Sequence, residues 1–398
     1  MKIAYLSVFP PNINGIGDYT RDLCQAAIRR SPETTFFVLG DRARGSSADS
    51  GMEVDRCCSF RGNWVTDALA AADRTHPDLV HLQHGQYMGR DARVPAFLEG
   101  LGKRGIRSVV TLHAVYPERG RRIDSLLRWP PPKFHRALAR LADHVVIHQS
   151  AGAIEHLVGC GFSPETVSVI PHGTPEGGSV APDTARRDLG LPEGASIVLF
   201  LGFISIGKGV DTVVKAFDRV VQEIPGALLV IAGRVEPSFP QPQYAWWLRM
   251  LMRRGLEGKW IDFRPGYLAE HLIPSYLAAA DLVVFPYRQR FGSASGMFHQ
   301  ALGSGCTIVA SRCPKFEEGR ETFAAAAPEA FAEPNDPAAW ARSIVNLLKN
   351  KGLRERISRL SAELGRKTSW PAVAEQHLQL YRRLLRGDAS SSQTRSRS

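Results

Sequence analysis

The sequence lacks several features that would place the protein in a specialised structural class. Its six cysteines form no C-x-x-C pair and show no spacing typical of a histidine/cysteine metal site, so we expect reduced, mostly buried thiols and no metal. No run of about 18 apolar residues is present, so no transmembrane helix is expected. The N-terminal apolar stretch is short and ends at a Pro-Pro pair, which predicts a first β-strand and not a signal peptide. These absences favour a cytoplasmic protein.

Nucleic-acid-binding motifs are also missing, although the chain is strongly basic. Its formal net charge is +11, and seven basic residues lie between Arg119 and Arg140 against the single acid Asp124. Because no recognition motif or aromatic-interleaved basic stretch accompanies this charge, no nucleic-acid partner is expected. The segment 119–140 is compatible with a solvated surface, and also with peripheral attachment to an anionic membrane or an acidic acceptor.

Short apolar, β-branched runs alternate with helical patterns along the chain. The alternation predicts an α/β protein, and the near-continuous apolar character of the runs indicates parallel strands covered on both faces. Strands expected in the first half are Ile3–Val8, Phe36–Leu39, Leu79–Gln83, Ser108–Leu112, His144–His148 and Val167–Ile170. Strands expected in the second half are Ile197–Leu201, Ala227–Ile231, Trp260–Phe263, Leu282–Phe285 and Thr307–Ala310.

A turn-rich segment at 171–178 separates the two sets of strands. The sequence therefore predicts two doubly wound domains, over residues 1–175 and 176–368, as the length of 398 residues also suggests. Residues 369–386 predict a closing helix, and the Ser/Arg-rich residues 387–398 predict a disordered tail. Ligands of such sheets bind beyond the carboxyl ends of the strands, so the loops there are the candidate sites.

Two regions of the first half carry candidate ligand-binding residues. The loop after the first strand contains Gly15 and Gly17 and enters a helix, an arrangement that favours a polar or anionic ligand. The dinucleotide fingerprint G-x-G-x-x-G is incomplete because Thr20 stands at its third glycine, which argues against NAD. His81, His84 and His113 lie at or beside strand ends, and His81 and His84 are three residues apart on one strand. No third ligand or carboxylate is spaced to complete a metal site with these two.

Two loops of the second half favour phosphate. Gly202 and Lys208 lie in a glycine-flanked loop between a buried strand and a helix, without the Ser/Thr that follows the lysine of nucleotide-triphosphatase loops. A later Ser/Gly-rich loop also precedes a helix, and backbone N–H groups at Ser295, Gly296 and Met297 are expected to hold a second phosphate. Two such helix starts suit a diphosphate ligand.

In their order along the chain, these segments resemble the retaining nucleotide-sugar glycosyltransferases of family four, which have the GT-B architecture. The resemblance covers nearly the whole chain. It is carried by Gly15-Ile16-Gly17, His113, Ala142–Val146, Val169–Gly173, Lys208-Gly209, Ala280–Val283, Ala301–Gly305 and Ser369-Trp370. It implies two Rossmann-like parallel-sheet domains facing across a cleft: an N-terminal acceptor domain, completed by helix 369–386, and a C-terminal donor domain.

The resemblance also implies a reaction and its residues. The reaction is transfer of a hexose from a UDP- or GDP-sugar to a hydroxyl of a sugar, lipid-linked or other small-molecule acceptor, with no metal or cofactor. His113 and Lys208 are the implied catalytic residues. The implied donor-binding residues are Gly202, Lys208, Arg288, Ser295, Gly296, Met297 and Gln300. The implied acceptor-binding residues are Gly15, Gly17, Asp18, Tyr19 and His84.

Three positions depart from the family pattern. Phe203 stands where the second-domain loop usually has an arginine, and Arg288 is the candidate to replace that charge. Gly292 and Gln300 stand where the widespread E-x7-E pair has its glutamates. Gln300 can hydrogen-bond a ribose hydroxyl, but its side chain carries no charge. Two alternatives therefore stay open: a non-catalytic scaffold that binds sugar nucleotides, and a GT-B-like sugar-nucleotide epimerase.

Overall fold

A computed structural model describes residues 1–12, 14–42, 52–60, 62–85, 88, 93–115, 132–149, 152–178, 180–236, 240–253, 259–288 and 293–387. Most of the expected tail, residues 388–398, lies outside this described part, as do Gly292 and much of the basic segment 119–140. The chain divides into two compact units. The first comprises Met1–Gly173, Phe291–Ala294 and Trp370–Ser398, and the second comprises Thr174–Arg290 and Ser295–Ser369.

The first unit contains, within its described residues, a seven-stranded parallel sheet in the order β3-β2-β1-β4-β5-β6-β7. Strands and helices are numbered in chain order. The strands are β1 (Lys2–Ser7), β2 (Thr35–Asp41), β3 (Glu53–Cys58), β4 (Leu79–His84), β5 (Arg107–Leu112), β6 (His144–Ile147) and β7 (Val167–Val169). The strand order reverses between β1 and β4, the position at which doubly wound sheets open a crevice for ligands.

The second unit repeats this plan, with a six-stranded parallel sheet among its described residues in the order β10-β9-β8-β11-β12-β13. Its strands are β8 (Ser196–Leu201), β9 (Ala227–Gly233), β10 (Ile261–Pro265), β11 (Leu282–Phe285), β12 (Ile308–Ser311) and β13 (Phe331–Ala332). Here the order reverses between β8 and β11. The predicted fold class, α/β with two doubly wound parallel sheets, is confirmed.

Helices connect the strands of both sheets. In the first unit they are α1 (Gly15–Arg30), α2 (Trp64–Thr75), α3 (Arg93–Lys103), α4 (Pro132–Leu141) and α5 (Ala153–Gly159). In the second unit they are α6 (Pro182–Asp188), α7 (Val210–Glu223), α8 (Gln241–Met252), α9 (Ile273–Ala279), α10 (Gly296–Gly303), α11 (Glu317–Phe323), α12 (Pro337–Lys349) and α13 (Lys351–Lys367). The last helix, α14 (Trp370–Arg386), belongs to the first unit.

Helix α14 covers one face of the first sheet. Its residues Trp370, Val373, Leu378 and Tyr381 are buried together with residues of β1 and α1. The Tyr381 hydroxyl lies 3.0 Å from the hydroxyl of Tyr5, which comes from the other end of the chain. The first unit is therefore completed by a segment that follows the whole second unit in sequence.

The cysteines agree with the expectation from their spacing. None of the six forms a disulfide, and five of them are buried. The Sγ atoms of Cys57 and its neighbour Cys58 lie 3.4 Å apart on the edge strand β3. None of the helices in the described part of the chain is long and apolar enough to cross a bilayer.

Candidate functional site

The phosphate-favouring loops of the second unit follow β8 and β11, the two strands at which the sheet order reverses. After β8 the chain forms a short 3-10 turn at Ile206–Lys208 and enters α7 through Gly209. After β11 it passes Tyr287 and reaches Ser295, the residue that caps α10. Because β8 and β11 are hydrogen-bonded neighbours, both loops leave the same edge of the sheet.

Gly209 makes this close approach of the two loops possible. Its φ is +62°, in the left-handed region that favours glycine. A Cβ atom at this position would lie 2.0 Å from the carbonyl oxygen of Pro286. Both conformation and space therefore require glycine directly after Lys208.

Lys208 lies on the aromatic face of Tyr287. Its Nζ atom is 3.7 Å from the centroid of that ring, which is a cation–π contact. Tyr287 is buried, and its hydroxyl lies 3.3 Å from the Ser295 Oγ. Ser295 Oγ in turn accepts the backbone N–H of Phe298 and so caps α10. One tyrosine thus contacts both predicted phosphate sites.

The charges at this site favour an anion. Burial lowers the pKa of Lys208 to about 8, although Glu236 and Cys313 act in the opposite direction. Burial, followed by repulsion from Lys208, holds the pKa of Lys315 well below its usual value. Two neighbouring ammonium groups in a low-dielectric environment are stabilised by a negatively charged ligand. Lys315 was not a sequence-derived candidate, although it follows the carboxyl end of β12.

The Arg288 side chain bonds to two residues at the start of α7. Its Nη2 donates to Asp211 Oδ2 at 2.7 Å and to Thr212 Oγ1 at 2.8 Å. Its backbone N–H donates to the carbonyl of Gly207 at 2.9 Å. Arg288 therefore helps to hold the Lys208 loop in position, and its contact with a donor in place of the arginine missing at Phe203 stays a prediction.

The remaining donor candidates surround the start of α10. Gly296 is exposed, while Met297 and Gln300 are half-buried. Gly202, whose φ is +128°, approaches Met297 so closely that a Cβ would lie 3.2 Å from the Met297 Cγ. The first N–H groups of a helix have no partner within the helix, so Gly296 and Met297 present donors here. Contact of these residues with a donor stays a prediction.

The glycine loop of the first unit lies at its own reversal point, after β1. The Asn14 side chain accepts the backbone N–H of Ile16 at 2.9 Å and starts α1. Gly15 is exposed with open space at its Cβ position, and Asp18 is half-buried. Gly17 is buried, and its Cβ would lie 3.2 Å from the carbonyl oxygen of Val8. Gly15 and Asp18 are therefore the accessible members of this loop.

A chain of hydrogen bonds orients His113. His148 Nδ1 lies 3.0 Å from the carbonyl of Ile170, which only accepts, so this nitrogen donates. The other nitrogen of His148, Nε2, lies 3.1 Å from His113 Nδ1. Burial, with repulsion from His148 next, holds the His113 pKa well below its usual value. The other nitrogen of His113, Nε2, lies 2.8 Å from Gln83 Oε1, so both nitrogens of this imidazole have a hydrogen-bonding partner.

The Tyr19 ring packs against His113. Its side chain is only 2% exposed, and its ring meets His113 edge-on with a centroid distance of 4.8 Å. Its other side contacts Trp370 of α14 at 5.2 Å. Such burial gives Tyr19 a packing role beside His113, and direct contact with an acceptor stays a prediction.

The two histidines of β4 have different surroundings. His81 is buried between the Tyr381 hydroxyl at 2.6 Å and the Thr111 hydroxyl at 2.7 Å, so it is a structural residue. His84 ends the strand and lies 4.7 Å from the Phe134 ring. Burial, with His135 as the second cause, lowers the His84 pKa to about 4. A neutral His84 therefore lies at the carboxyl end of β4, the neighbour of the strand β1 that precedes the glycine loop.

Solved structures define the class to which this fold belongs. The crystal structure of Anabaena HepE in complex with UDP and glucose superimposes with a TM-score of 0.73 and 17% sequence identity, covering 96% of this chain and 100% of that one. The two parallel-sheet α/β domains are those of the GT-B fold.

Two family models match consecutive parts of the chain. Residues 13–176 match the Glycosyltransferase Family 4 model, and residues 195–350 match the model for Glycosyl transferases group 1. The chain therefore contains a Glycosyltransferase Family 4 domain followed by a Glycosyl transferases group 1 domain.

Named relatives include D-inositol 3-phosphate glycosyltransferases. The protein of Corynebacterium efficiens is 28% identical over 228 residues, which are 55% of this chain and 51% of that protein. The protein of Salinispora arenicola is 26% identical over 344 residues, which are 81% of this chain and 72% of that protein. With the first of these relatives, the match spans only about half of the relative's length.

Proposed function

We propose that this protein is a glycosyltransferase that moves a hexose from a UDP- or GDP-sugar to a hydroxyl acceptor and retains the anomeric configuration. The observation that carries the proposal is the position of Lys208 on the Tyr287 ring, whose hydroxyl meets the Ser295 cap of α10. An ammonium group and a helix N-terminus on one tyrosine suit the two phosphates of a nucleoside diphosphate. Family membership and the names of the relatives support the same reaction class.

The proposed catalysis depends on where negative charge develops during transfer of the sugar. When the bond between the sugar and the diphosphate breaks, negative charge grows on the leaving phosphate. In the proposed reaction Lys208 and the first N–H groups of α10 stabilise that charge, and Lys315 adds a second cation. Removing one such donor typically costs about 2.7–4 kcal/mol of transition-state stabilisation. These groups belong to the chain itself, so we propose that the reaction requires no resident metal or cofactor.

The first unit would provide the acceptor side. There we assign contact with the transferred sugar to His113, whose orientation is fixed by His148 and whose neutral state follows from its lowered pKa. Gly15 and Asp18 are accessible for an acceptor, and His84 is a neutral hydrogen-bonding group at the neighbouring strand end. Tyr19 supports His113 within this proposal.

A transfer assay tests the proposal directly. UDP- and GDP-hexoses are incubated with acceptors that include inositol phosphates, simple sugars and lipid-linked sugars, and products are separated by mass. Glycoside with the anomeric configuration of the donor, read by NMR, supports a retaining transferase. Free epimerised sugar nucleotide would assign the epimerase instead, and tight binding without turnover over the panel would assign the scaffold. Activity with and without added Mg²⁺ or Mn²⁺ tests the proposed independence of the transfer step from metal.

We also propose peripheral attachment to anionic membranes through the basic segment 119–140. Within its described residues, Lys133, Arg136 and Arg140 are exposed at helical spacing on α4. Such a stripe is attracted to anionic headgroups over about one Debye length, roughly 8 Å at physiological salt. Salt-sensitive sedimentation with vesicles containing phosphatidylserine is expected, and its absence would exclude the attachment.

A further inference from the structure

Two imidazoles and a thiol meet between α4 and α5 of the first unit. His135 Nδ1 lies 3.0 Å from His156 Nε2, and Cys160 Sγ lies 3.7 Å from the same His156 nitrogen. The three ligand atoms all lie within 4.8 Å of one another. His135 and Cys160 are buried and His156 is half-buried, so the cluster is shielded on most sides.

Local structure explains this convergence. His156 and Cys160 are four residues apart, on α5 and at its C-cap, and residues at this spacing share one face of a helix. His135 lies on the inward face of α4, beside the buried Phe134 and Leu138. The basic residues of α4, Lys133, Arg136 and Arg140, lie on its exposed face. The helical spacing of His156 and Cys160 was the signal in the sequence, and His135 could not be joined to it without the fold.

The donor set is one that soft or borderline divalent ions prefer. Zinc in proteins binds histidine nitrogen at about 2.0–2.1 Å and cysteine sulfur at about 2.3 Å, so tetrahedral edges are about 3.3–3.6 Å long. From His156 Nε2, the distance of 3.0 Å to His135 Nδ1 is close to the nitrogen–nitrogen edge, and the distance of 3.7 Å to Cys160 Sγ is close to the nitrogen–sulfur edge. A proton on this nitrogen can point at only one neighbour, whereas one metal ion satisfies all three donors.

We propose that His135, His156 and Cys160 form a zinc site whose fourth position is open to water or another ligand. Zinc binding replaces the thiol proton of Cys160, which is released to solvent, and both imidazoles stay neutral, His135 with its proton on Nε2 and His156 with its proton on Nδ1. The site fastens α4 to α5. It also fixes Phe134, the neighbour of His135, against the ring of His84 at 4.7 Å. This inference does not depend on the proposed transferase reaction.

Cobalt(II) is the probe for this site, because cobalt thiolates absorb where zinc is silent. The full chain is stripped with a chelator, dialysed and titrated with Co²⁺ alone. We expect saturation at one equivalent, with a thiolate-to-cobalt charge-transfer band and the visible bands of tetrahedral cobalt, all of which disappear when Zn²⁺ is added. Zinc is also expected to raise the melting temperature of the stripped protein.

Variants decide which thiol binds. Cys160→Ser should lose the charge-transfer band, and His135→Gln should weaken cobalt binding at least about 10-fold. The matched control is Cys306→Ser, which removes another buried thiol and should keep the band. Cys57→Ser/Cys58→Ser removes the adjacent thiol pair and should also keep it.

Three results would overturn the site. They are no saturable cobalt uptake by the wild type, a charge-transfer band that survives in Cys160→Ser, and a band that disappears with the Cys57/Cys58 pair. If Cys160→Ser does not fold, the cobalt affinity of His135→Gln tests the site instead. An unchanged affinity in folded His135→Gln would contradict the proposal.

Discussion

The Lys208 ammonium lies 3.7 Å above the centre of the Tyr287 ring, and the hydroxyl of that ring reaches the Ser295 cap of α10. The tyrosine is buried, so its position is fixed by the core of the second unit. The lysine is therefore held beside a helix N-terminus before any ligand arrives. Such preorganisation is what makes a charged group effective in stabilising a transition state.

Replacing Lys208 tests the assigned charge. Lys208→Ala should lower kcat by about 10²–10³-fold, because one donor to the developing diphosphate charge is lost. The matched control is Lys349→Ala, an exposed lysine of the same unit that pairs with Glu223, and its kcat should not change. Steady-state kinetics with the preferred donor measure both. Equal activity of Lys208→Ala and wild type would remove the lysine from the reaction.

The pH dependence of donor use should report the same group. The Lys208 pKa is lowered to about 8, so the ammonium is charged below this pH and loses its proton as the pH rises through it. We therefore expect kcat/KM for the donor to fall above about pH 8. In Lys208→Arg, whose guanidinium stays charged, the part of this fall that Lys208 causes should be absent, and a fall that remains reports Lys315. A wild-type profile that stays flat up to pH 10 would contradict the assignment.

Gly209 should be intolerant of a side chain. Gly209→Ala places a Cβ 2.0 Å from the Pro286 carbonyl oxygen and also forces alanine into a positive φ. Displacement of the loop should weaken nucleotide binding more than about 10-fold and lower the melting temperature. Gly266→Ala is the control, because its Cβ would meet open space. Similar behaviour of both variants in calorimetry and thermal unfolding would show that the loop has no such constraint.

Buried histidines should make the first unit sensitive to acid. Burial lowers the pKa of His84, His144 and His377 to about 4, whereas an unfolded histidine titrates near 6.5. Between these values the unfolded chain binds more protons than the folded chain. The free energy of unfolding is therefore complete above about pH 6.5 and decreases as the pH falls toward 4.

His377→Leu isolates one of these groups. His377 is fully buried on α14. Between pH 7 and pH 4, the free energy of unfolding of the variant should therefore decrease by on the order of 2–3 kcal/mol less than that of wild type. Urea unfolding at several pH values measures the difference. His76→Leu, at an exposed position, should keep the wild-type slope. An unchanged slope in His377→Leu would show that this histidine is already protonated in the folded state.

Much of the fold was predictable because strands buried on both faces form apolar runs. Strands β4, β5 and β8 were expected within one residue of their bounds. The edge strand β3 was missed because it is only half-buried and carries charged residues along its length. Strand β13 has only two residues, too few for any pattern.

The site was predictable only where one segment carried the whole signal. Lys208 and Ser295 each lie between a buried strand end and a helix start, so their loops were identified. The burial of Lys315 depends on Lys208 and the surrounding core, which no local pattern encodes. Pairing of Arg288 with Asp211 joins residues 77 positions apart, and the burial of Tyr19 depends on Trp370 of the last helix.

The most direct test of the diphosphate site is a calorimetric titration of nucleoside diphosphates against monophosphates. Wild type should bind UDP or GDP at least about 10-fold more tightly than UMP or GMP, because two cations and a helix N-terminus meet the second phosphate. That difference should shrink in Lys208→Ala and in Lys315→Ala. Equal affinities for diphosphate and monophosphate in wild type, or an undiminished preference in both variants, would contradict the account.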